Sequence, residues 1–180
     1  MHAKHVKDIM VPLNEYTVVN ENDTLYDAFV ALKESKESQE KGQYLHRAVL
    51  VVNDKGRIVG KLGHLGFLRA LEPKYKIMGD LDMLSKAGLN PEFIGSMMKD
   101  FGLWQDELVN VRSRSKEIKM KEVMRKTGEN IDINASMNEA IHKIVMYQML
   151  SILVTQNGIV VGLLRLSDVY DELSRNIIGD

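Results

Sequence analysis

Two segments of the chain carry apolar residues at the same helical spacing. One set follows Thr24 and the other follows Ser136, and both have the i, i+3, i+4, i+7 pattern of an amphipathic helix. The two sets are Leu25, Ala28, Phe29 and Leu32, and Met137, Ala140, Ile141 and Ile144. Each begins with a hydroxyl residue and has an acid three positions later, Asp27 or Glu139, which predicts a capping box. We expect the Glu139 version to be the better one, because aspartate reaches back less easily.

Two short β-branched runs around a turn follow each predicted helix. The runs are 48–52 and 57–60 in the first copy, and 151–155 and 159–162 in the second. The second turn is Asn157-Gly158, which is typical of a tight hairpin because both residues tolerate positive φ. A further helix is predicted after each hairpin, over 65–71 and 167–178.

A short strand and a leading segment precede each amphipathic helix. The predicted strands are 17–20 and 130–134, and the segments Val6-Lys7-Asp8-Ile9-Met10 and Met120-Lys121-Glu122-Val123-Met124 share one pattern. The order of leading turn, strand, helix, strand, strand and helix therefore occurs twice. We divide the chain into repeats 1–71 and 118–180 and a middle segment 72–117. Since a half of about 55 residues buries little surface alone, we expect the repeats to pack sheet against sheet about a pseudo-twofold axis.

The middle segment, 72–117, is predicted to be a helical insert. Asn90-Pro91 reads as an N-cap followed by proline at the first helical position. The apolar residues after it recur at helical spacing: Ile94, Met97, Met98, Phe101, Trp104 and Leu108. We favour packing of this face on the protein's own core, and the alternative is a partner or dimer surface. The basic stretch 112–121 is interpreted as a solvated linker.

Composition narrows the classes of function. Of the 180 residues 44% are hydrophobic, and 24 basic against 25 acidic residues give a formal net charge of -1. A near-neutral chain has no general attraction to nucleic acid or an acidic membrane, so we expect neither as a partner. The absence of cysteine excludes disulfides, thiolate metal sites and a cysteine nucleophile. Neither a signal-peptide core nor a membrane-length apolar run is present, so we expect a cytoplasmic protein.

No constellation of catalytic or metal-binding residues stands out in the sequence. His2, His5 and His142 lack metal-ligand spacing, and no phosphate-binding loop or nucleophile elbow is present. We therefore expect no metal site, no catalytic cofactor and no enzyme activity.

The doubled order, the leading Val-Lys-Asp-Ile-Met and the hairpin ending in Val59-Gly60 resemble a tandem pair of CBS domains, the Bateman module. The resemblance covers about 1–71 and 118–180. It implies an α/β (α+β) fold of two β-α-β-β-α repeats. It also implies a regulatory module that dimerises with itself and binds an adenine nucleotide or adenosyl compound, such as AMP, ADP, ATP or S-adenosylmethionine, in the cleft between the repeats.

The family's ligand motif is glycine, two apolar residues, Thr or Ser, two variable residues and Asp. Over 162–168 this chain keeps the acid as Asp168, but Arg165 replaces Thr or Ser. Over 60–66 both polar positions are glycine, at Gly63 and Gly66. The resemblance implies that Asp168 holds the ribose hydroxyls, and the alternative is a first-turn acid favoured by the helix dipole. The second copy is therefore the better candidate site.

Four basic residues complete the candidate ligand-binding set. Arg165 could meet a phosphate, although we favour a surface arginine paired with Asp168 or Asp171. His46 and Arg47 precede the buried strand of the first copy, where the family often has a basic residue, and His64 lies in the following glycine-rich segment. The alternative function, from a different class, is a ligand-free scaffold for dimerisation or protein interaction that uses the insert helices.

Overall fold

The chain forms two compact units whose segments interleave along the sequence. The computed structural model describes residues 4–38, 47–76, 78, 83, 88–103 and 110–179. Unit 1 comprises Met1–Thr17 and Lys126–Asp180, and unit 2 comprises Val18–Arg125. Two four-stranded sheets and several helices make up the chain, which confirms the predicted mixed α/β class.

The sheet of unit 2 has the strand order β2-β3-β4-β5. Its strands are β2 (Val18–Asn20), β3 (Ala48–Val52), β4 (Ile58–Gly63) and β5 (Arg125–Lys126). The helices are α1 (Leu25–Ser38), α2 (His64–Leu71), α3 (Pro91–Asp100), α4 (Val111–Glu117) and α5 (Met120–Val123). Strands β2 and β3 are parallel, so the chain must cross over between them, and α1 lies on that crossover. Strands β3 and β4 form the predicted antiparallel hairpin.

The sheet of unit 1 has the order β1-β8-β7-β6. Its elements are β1 (Val11–Pro12), β6 (Asn130–Asp132), α6 (Met137–Tyr147), β7 (Ser151–Gln156), β8 (Ile159–Arg165) and α7 (Leu166–Ile178). Strands β6 and β7 are parallel and β7 and β8 are antiparallel, as in their counterparts in unit 2. The predicted order of strand, helix, hairpin and helix is confirmed in both copies.

Each unit has its own core between the sheet and the helices. Leu25 and Ala28 of α1 and Ala140 and Ile144 of α6 are buried, as the helical spacing predicts. In the unit 2 core, Leu25 and Ala28 pack with residues of β3, β4 and α2 and with Met120. In the unit 1 core, Ala140 and Ile144 pack with residues of β6, β7, β8 and α7 and with Val6. Phe29 lies at the rim, where its ring centroid is 4.6 Å from that of Phe67.

A glycine in each β-hairpin allows the leading segment of the other repeat to approach closely. A Cβ atom on Gly162 would lie 2.5 Å from the carbonyl oxygen of Val11, and one on Gly60 would lie 2.8 Å from that of Arg125. The thioether of a leading-segment methionine lies over each glycine, Met10 over Gly162 and Met124 over Gly60. The sequence repeats, 1–71 and 118–180, are therefore not the same as the spatial units. Each unit contains the sheet and helices of one repeat together with the leading segment of the other repeat.

The hairpin turn and the helix cap that the sequence predicts are both present in the structure. Asn157 and Gly158 both have positive φ, 52° and 77°, as a tight hairpin turn requires. At α1 the capping box is complete, because Asp27 Oδ2 accepts from the Thr24 backbone N–H at 2.8 Å and Asp27 N donates to Thr24 Oγ1 at 3.2 Å. The reason for expecting a weaker aspartate box is wrong at α1, because the short Asp27 side chain does reach the N-cap nitrogen.

The insert contains the predicted N-cap but not the predicted packing. Asn90 Oδ1 accepts from Phe93 N at 2.7 Å, with Pro91 opening α3. No residue of α3 is buried, and Ile94 and Met98 are exposed, so the preference for packing on the protein's own core is wrong for α3. The sequence could not show this, because an apolar stripe does not identify what covers it.

Most of the basic stretch is helical, since α4 covers Val111–Glu117, and Arg112 and Lys116 are exposed, as expected of a solvated segment. Arg112 and Lys116 of α4 lie over the ring of Tyr26 on α1, with their cationic centres 5.9 and 5.1 Å from its centroid. Ser115 is buried between helical turns, and its hydroxyl donates to the Arg112 carbonyl at 2.8 Å. Trp104 and Leu108 lie outside the described residues. Among the residues that the structure describes, no helix is long and apolar enough to cross a membrane.

Candidate functional site

The junction of β8 and α7 contains a buried ion pair between the two polar residues of the second-copy motif. Arg165 and Asp168 are 9% and 8% exposed. Arg165 Nε donates to Asp168 Oδ2 at 2.8 Å and to Oδ1 at 3.0 Å, and Arg165 Nη2 also donates to Oδ1. The Arg165 backbone N–H donates to Oδ2 at 3.1 Å, which closes the first turn of α7. Both carboxylate oxygens of Asp168 therefore have donors from Arg165.

Pairing of Arg165 with Asp168 agrees with one sequence expectation and corrects another. An ion pair with a nearby acid was favoured over a phosphate contact, and the acid is Asp168. A surface position for Arg165 is wrong, because β8 continues to Arg165 and its last residues, Leu163 and Leu164, are buried. A buried guanidinium requires a close anionic partner, and the planar bidentate contact satisfies that requirement.

Tyr16 joins this cluster although nothing in the sequence connects it to 162–168. Strand β1 pairs antiparallel with β8, Val11 opposite Leu163 and Pro12 opposite Gly162, and this brings the chain from Val11 to Tyr16 near the junction. Burial raises the pKa of Tyr16 to about 12, while the positive charge of Arg165 lowers it and the negative charge of Asp168 raises it. Tyr16 therefore stays neutral at physiological pH. The sequence could not predict that Tyr16 lies near Arg165 and Asp168, because this proximity follows from the pairing of β1 with β8 and from no sequence motif.

The first copy lacks both polar side chains at the equivalent junction, and its geometry differs at the two glycines. A Cβ atom on Gly63 would meet only ordinary contacts, at 3.8 Å from the Arg47 carbonyl oxygen. A Cβ atom on Gly66 would lie 2.5 Å from Cδ1 of Leu62, so Leu62 occupies the space that an acid would need. An aspartate at position 66 would require the Leu62 side chain to shift, and with glycine there this junction has no acid for a ribose.

Arg47 and His64 lie side by side at that first-copy junction. The His64 backbone N–H donates to the Arg47 carbonyl at 3.2 Å, just as Leu166 N donates to Leu150 O at 2.9 Å in the second copy. Both residues are exposed. The structure thus brings two predicted basic residues of unit 2 together, and their role as ligand contacts stays a prediction. His46 lies outside the described residues.

Lys61, on β4 beside this junction, was not singled out from the sequence. Burial, with a smaller contribution from the positive charge of Arg125, lowers the pKa of its ammonium to about 8. A lysine in an alternating strand pattern reads as a solvated residue, which is why the spacing does not reveal it. Within the described residues no group of three or more His, Cys, Asp or Glu side chains is placed to hold a metal ion.

Comparison with known proteins connects this geometry to a family. Residues 6–72 match the family model for the CBS domain. None of the curated proteins searched matches the chain significantly. CBSX2 of Arabidopsis thaliana, a CBS-pair protein, has a similar structure, with a TM-score of 0.62 at 16% identity over 99% of both chains.

Two further solved structures have the same fold. The CBS domain of a CBS-domain-containing membrane protein of Sphaerobacter thermophilus has a TM-score of 0.61 at 20% identity, covering 95% of this chain and 88% of that one. CBSX2 in complex with AMP has a TM-score of 0.60 at 17% identity, covering 95% and 97%. Residues 6–72 therefore match the CBS-domain family, and the chain as a whole has the fold of a tandem CBS-domain pair.

Proposed function

We propose that this protein is a non-catalytic regulatory module that binds an adenine nucleotide or a related adenosyl ligand. The observation that carries the proposal is the CBS-pair fold, since a protein of the same fold has been solved with AMP bound. AMP, ADP, ATP and S-adenosylmethionine are the candidate regulatory ligands.

The ligand is proposed to bind at the β8–α7 junction, with Asp168 accepting the ribose hydroxyls. A carboxylate can accept two hydrogen bonds from a cis-diol, and Asp168 is the acid that the second copy retains. The first copy supports this choice of site, because Leu62 fills the space beside Gly66 where an acid would be needed. Arg47, His64 and His46 stay candidate ligand contacts on the strength of the sequence resemblance.

Isothermal titration calorimetry of the purified protein with the four candidate ligands tests the proposal. We expect saturable binding of at least one of them, weakened at least tenfold in Asp168→Asn with the fold intact by circular dichroism. Asp171→Asn, an acid of the same helix outside the motif, is the matched control. Absence of saturable heat and of a thermal shift with all four ligands would remove the nucleotide proposal.

A second candidate is a ligand-free interaction scaffold, which the exposed residues of α3 favour. Phe93, Ile94 and Met98 are exposed there, and Asn90 and Pro91 fix the start of the helix. Under this proposal Met98→Glu weakens self-association or partner binding, whereas Asp168→Asn leaves both unchanged. Ser96→Glu, an exposed position of the same helix, controls for the added charge.

A further inference from the structure

We propose that Arg165 is an internal lock on the second-copy site, which must release Asp168 before a nucleotide ribose can bind. The proposal rests on the proposed function and concerns the regulation of that same site. It assigns Arg165 to holding the site closed instead of contacting the ligand.

Both carboxylate oxygens of Asp168 already accept hydrogen bonds from Arg165. Oδ1 accepts from Nε and Nη2 of Arg165, and Oδ2 accepts from Nε and from the backbone nitrogen of the same residue. A ribose cis-diol needs acceptors on this carboxylate. The guanidinium occupies the positions that the two hydroxyls would take, so the ligand and the Arg165 side chain compete for the same oxygens.

Other turns of the chain show that the arginine is not needed for the backbone role of Asp168. Three aspartates accept from the backbone nitrogen three residues earlier without an arginine at that position. They are Asp8 with His5 N at 2.8 Å, Asp23 with Asn20 N at 2.7 Å and Asp27 with Thr24 N at 2.8 Å. One oxygen of the acid is enough to close such a turn. The bidentate contact from Arg165 is thus additional to the cap, and its direct effect is on the carboxylate.

Burial makes the closed state the stable one in the absence of ligand. Both partners are about nine-tenths buried, and separating a buried pair exposes an uncompensated charge to a low-dielectric surrounding. Tyr16 is buried as well, and the charges of Arg165 and Asp168 both influence its pKa. Nucleotide binding must therefore supply the free energy to open the pair, and this lowers the apparent affinity.

Arg165→Thr is the variant that tests the lock. Residue 165 is the N-cap of α7 with extended backbone angles, φ -97° and ψ 150°, and threonine is a good N-cap. The substitution therefore removes the guanidinium and leaves a residue that can cap the helix start. We expect the AMP dissociation constant of Arg165→Thr, measured by calorimetry, to be at least tenfold lower than that of the unaltered protein. Adding Asp168→Asn to Arg165→Thr should abolish the gain.

Arg175→Thr is the matched control, because Arg175 belongs to the same helix and its side chain is 57% exposed. It should leave the AMP affinity unchanged. Because threonine is also the residue that the family's ligand motif has at this position, Arg165→Gln, which keeps the stem and removes the charge, is measured beside Arg165→Thr. The same gain is expected in both variants, and Arg165→Gln alone carries the test if Arg165→Thr fails to fold by circular dichroism.

The outcomes separate the lock from the nucleotide function. Tighter binding by Arg165→Thr than by the unaltered protein supports the lock. If the unaltered protein binds AMP and Arg165→Thr binds equally or more weakly, the lock is wrong and Arg165 is a ligand contact or a structural residue. If neither protein binds any of the four ligands, the nucleotide function itself fails, and the lock fails with it.

Discussion

Lys61 lies on β4 with its ammonium partly withdrawn from water, and burial lowers its pKa to about 8. In the unfolded chain its pKa is near the ordinary 10.5, so between pH 8 and 10.5 the unfolded state binds more protons and stability rises with pH. We predict that Lys61→Met raises the free energy of unfolding at pH 7 by about 1–3 kcal/mol, because the charged form no longer has to be buried.

Urea denaturation at pH 7 and at pH 10 measures this effect, which should be large at pH 7 and small at pH 10. Lys55→Met in the exposed hairpin turn is the control and should change little at either pH. A Lys61→Met protein that is less stable at pH 7 would contradict the prediction and would indicate a favourable interaction of the ammonium.

Glu172 of α7 is a buried carboxylate that ties the helix to the start of the chain. Its Oε2 accepts from Lys4 Nζ at 2.7 Å, and its Oε1 accepts from Asn176 Nδ2 at 2.9 Å. The hydrogen bond from Lys4 is the main factor that lowers the pKa of Glu172, which burial alone would raise. A lowered folded-state pKa means that the carboxylate stabilises the fold at neutral pH and loses this contribution as pH falls through that pKa.

We predict that Glu172→Gln lowers the free energy of unfolding by about 1–3 kcal/mol at pH 7. The difference from the unaltered protein should shrink as the pH falls through the lowered pKa of Glu172. Denaturation curves at pH 7 and pH 3 check this, with the exposed Glu122→Gln as control. A difference that stays constant with pH would show that lost packing, not charge, is responsible.

The candidate site shows where residue-level prediction from sequence ends. The acid at 168 and the arginine at 165 could be identified from the motif, and an ion pair between them follows from i, i+3 geometry on a helix start. Burial of the pair could not be inferred, since it depends on β8 lying inside unit 1. Tyr16 and Lys61 depend on contacts between distant parts of the chain, which local spacing does not encode.

At the scale of elements, β1 passes close to Gly162 of β8. A Cβ atom there would lie 2.5 Å from the Val11 carbonyl oxygen, and a backbone atom cannot move aside without breaking the β1–β8 pairing. We predict that Gly162→Ala lowers the free energy of unfolding by about 1–3 kcal/mol through overpacking.

Gly95→Ala in α3 is a matched control with the opposite expected sign. A Cβ atom on Gly95 meets nothing within 4 Å, and alanine is the better helix former by about 1 kcal/mol. Thermal denaturation of the two variants side by side checks both. An unchanged melting temperature for Gly162→Ala would show that β1 is not held against β8.

The elements themselves were accessible from sequence wherever one local signal decides the structure. Asn157-Gly158 and Asn90-Pro91 specify a turn and a helix start through φ preferences and a side-chain cap, so neither depends on distant contacts. The pairing of β1 with β8 was not accessible, because it joins the leading segment of one repeat to the hairpin of the other. An apolar stripe is an intermediate case. It predicts that α3 is a helix, but it does not identify which part of the molecule packs against that helix.

At the scale of the whole molecule, α7 has an outward apolar stripe that its own unit leaves uncovered. Leu166, Tyr170, Leu173 and Ile177 are all exposed, Tyr170 by 67% and Ile177 by 82%, while Val169 and Glu172 on the opposite face are buried. The spacing of four and three residues along the stripe is that of a helix–helix seam. A stripe of this kind on one helix suits a second copy of the same helix across a twofold axis. We therefore propose a homodimer through α7.

Sedimentation equilibrium tests this assembly. We predict that the unaltered protein is a dimer at micromolar concentrations. Ile177→Lys should shift it to monomer, because the lysine would be buried in the interface without a partner for its charge. Ile159→Lys is the matched control, since Ile159 is 69% exposed but lies at the β7–β8 hairpin instead of on α7. A monomeric unaltered protein, or equal weakening by both variants, would contradict an α7 interface. Because Arg165 directly precedes Leu166 at the start of this stripe, a confirmed dimer would place the second-copy junction beside the interface, where release of Asp168 could be communicated to the partner subunit.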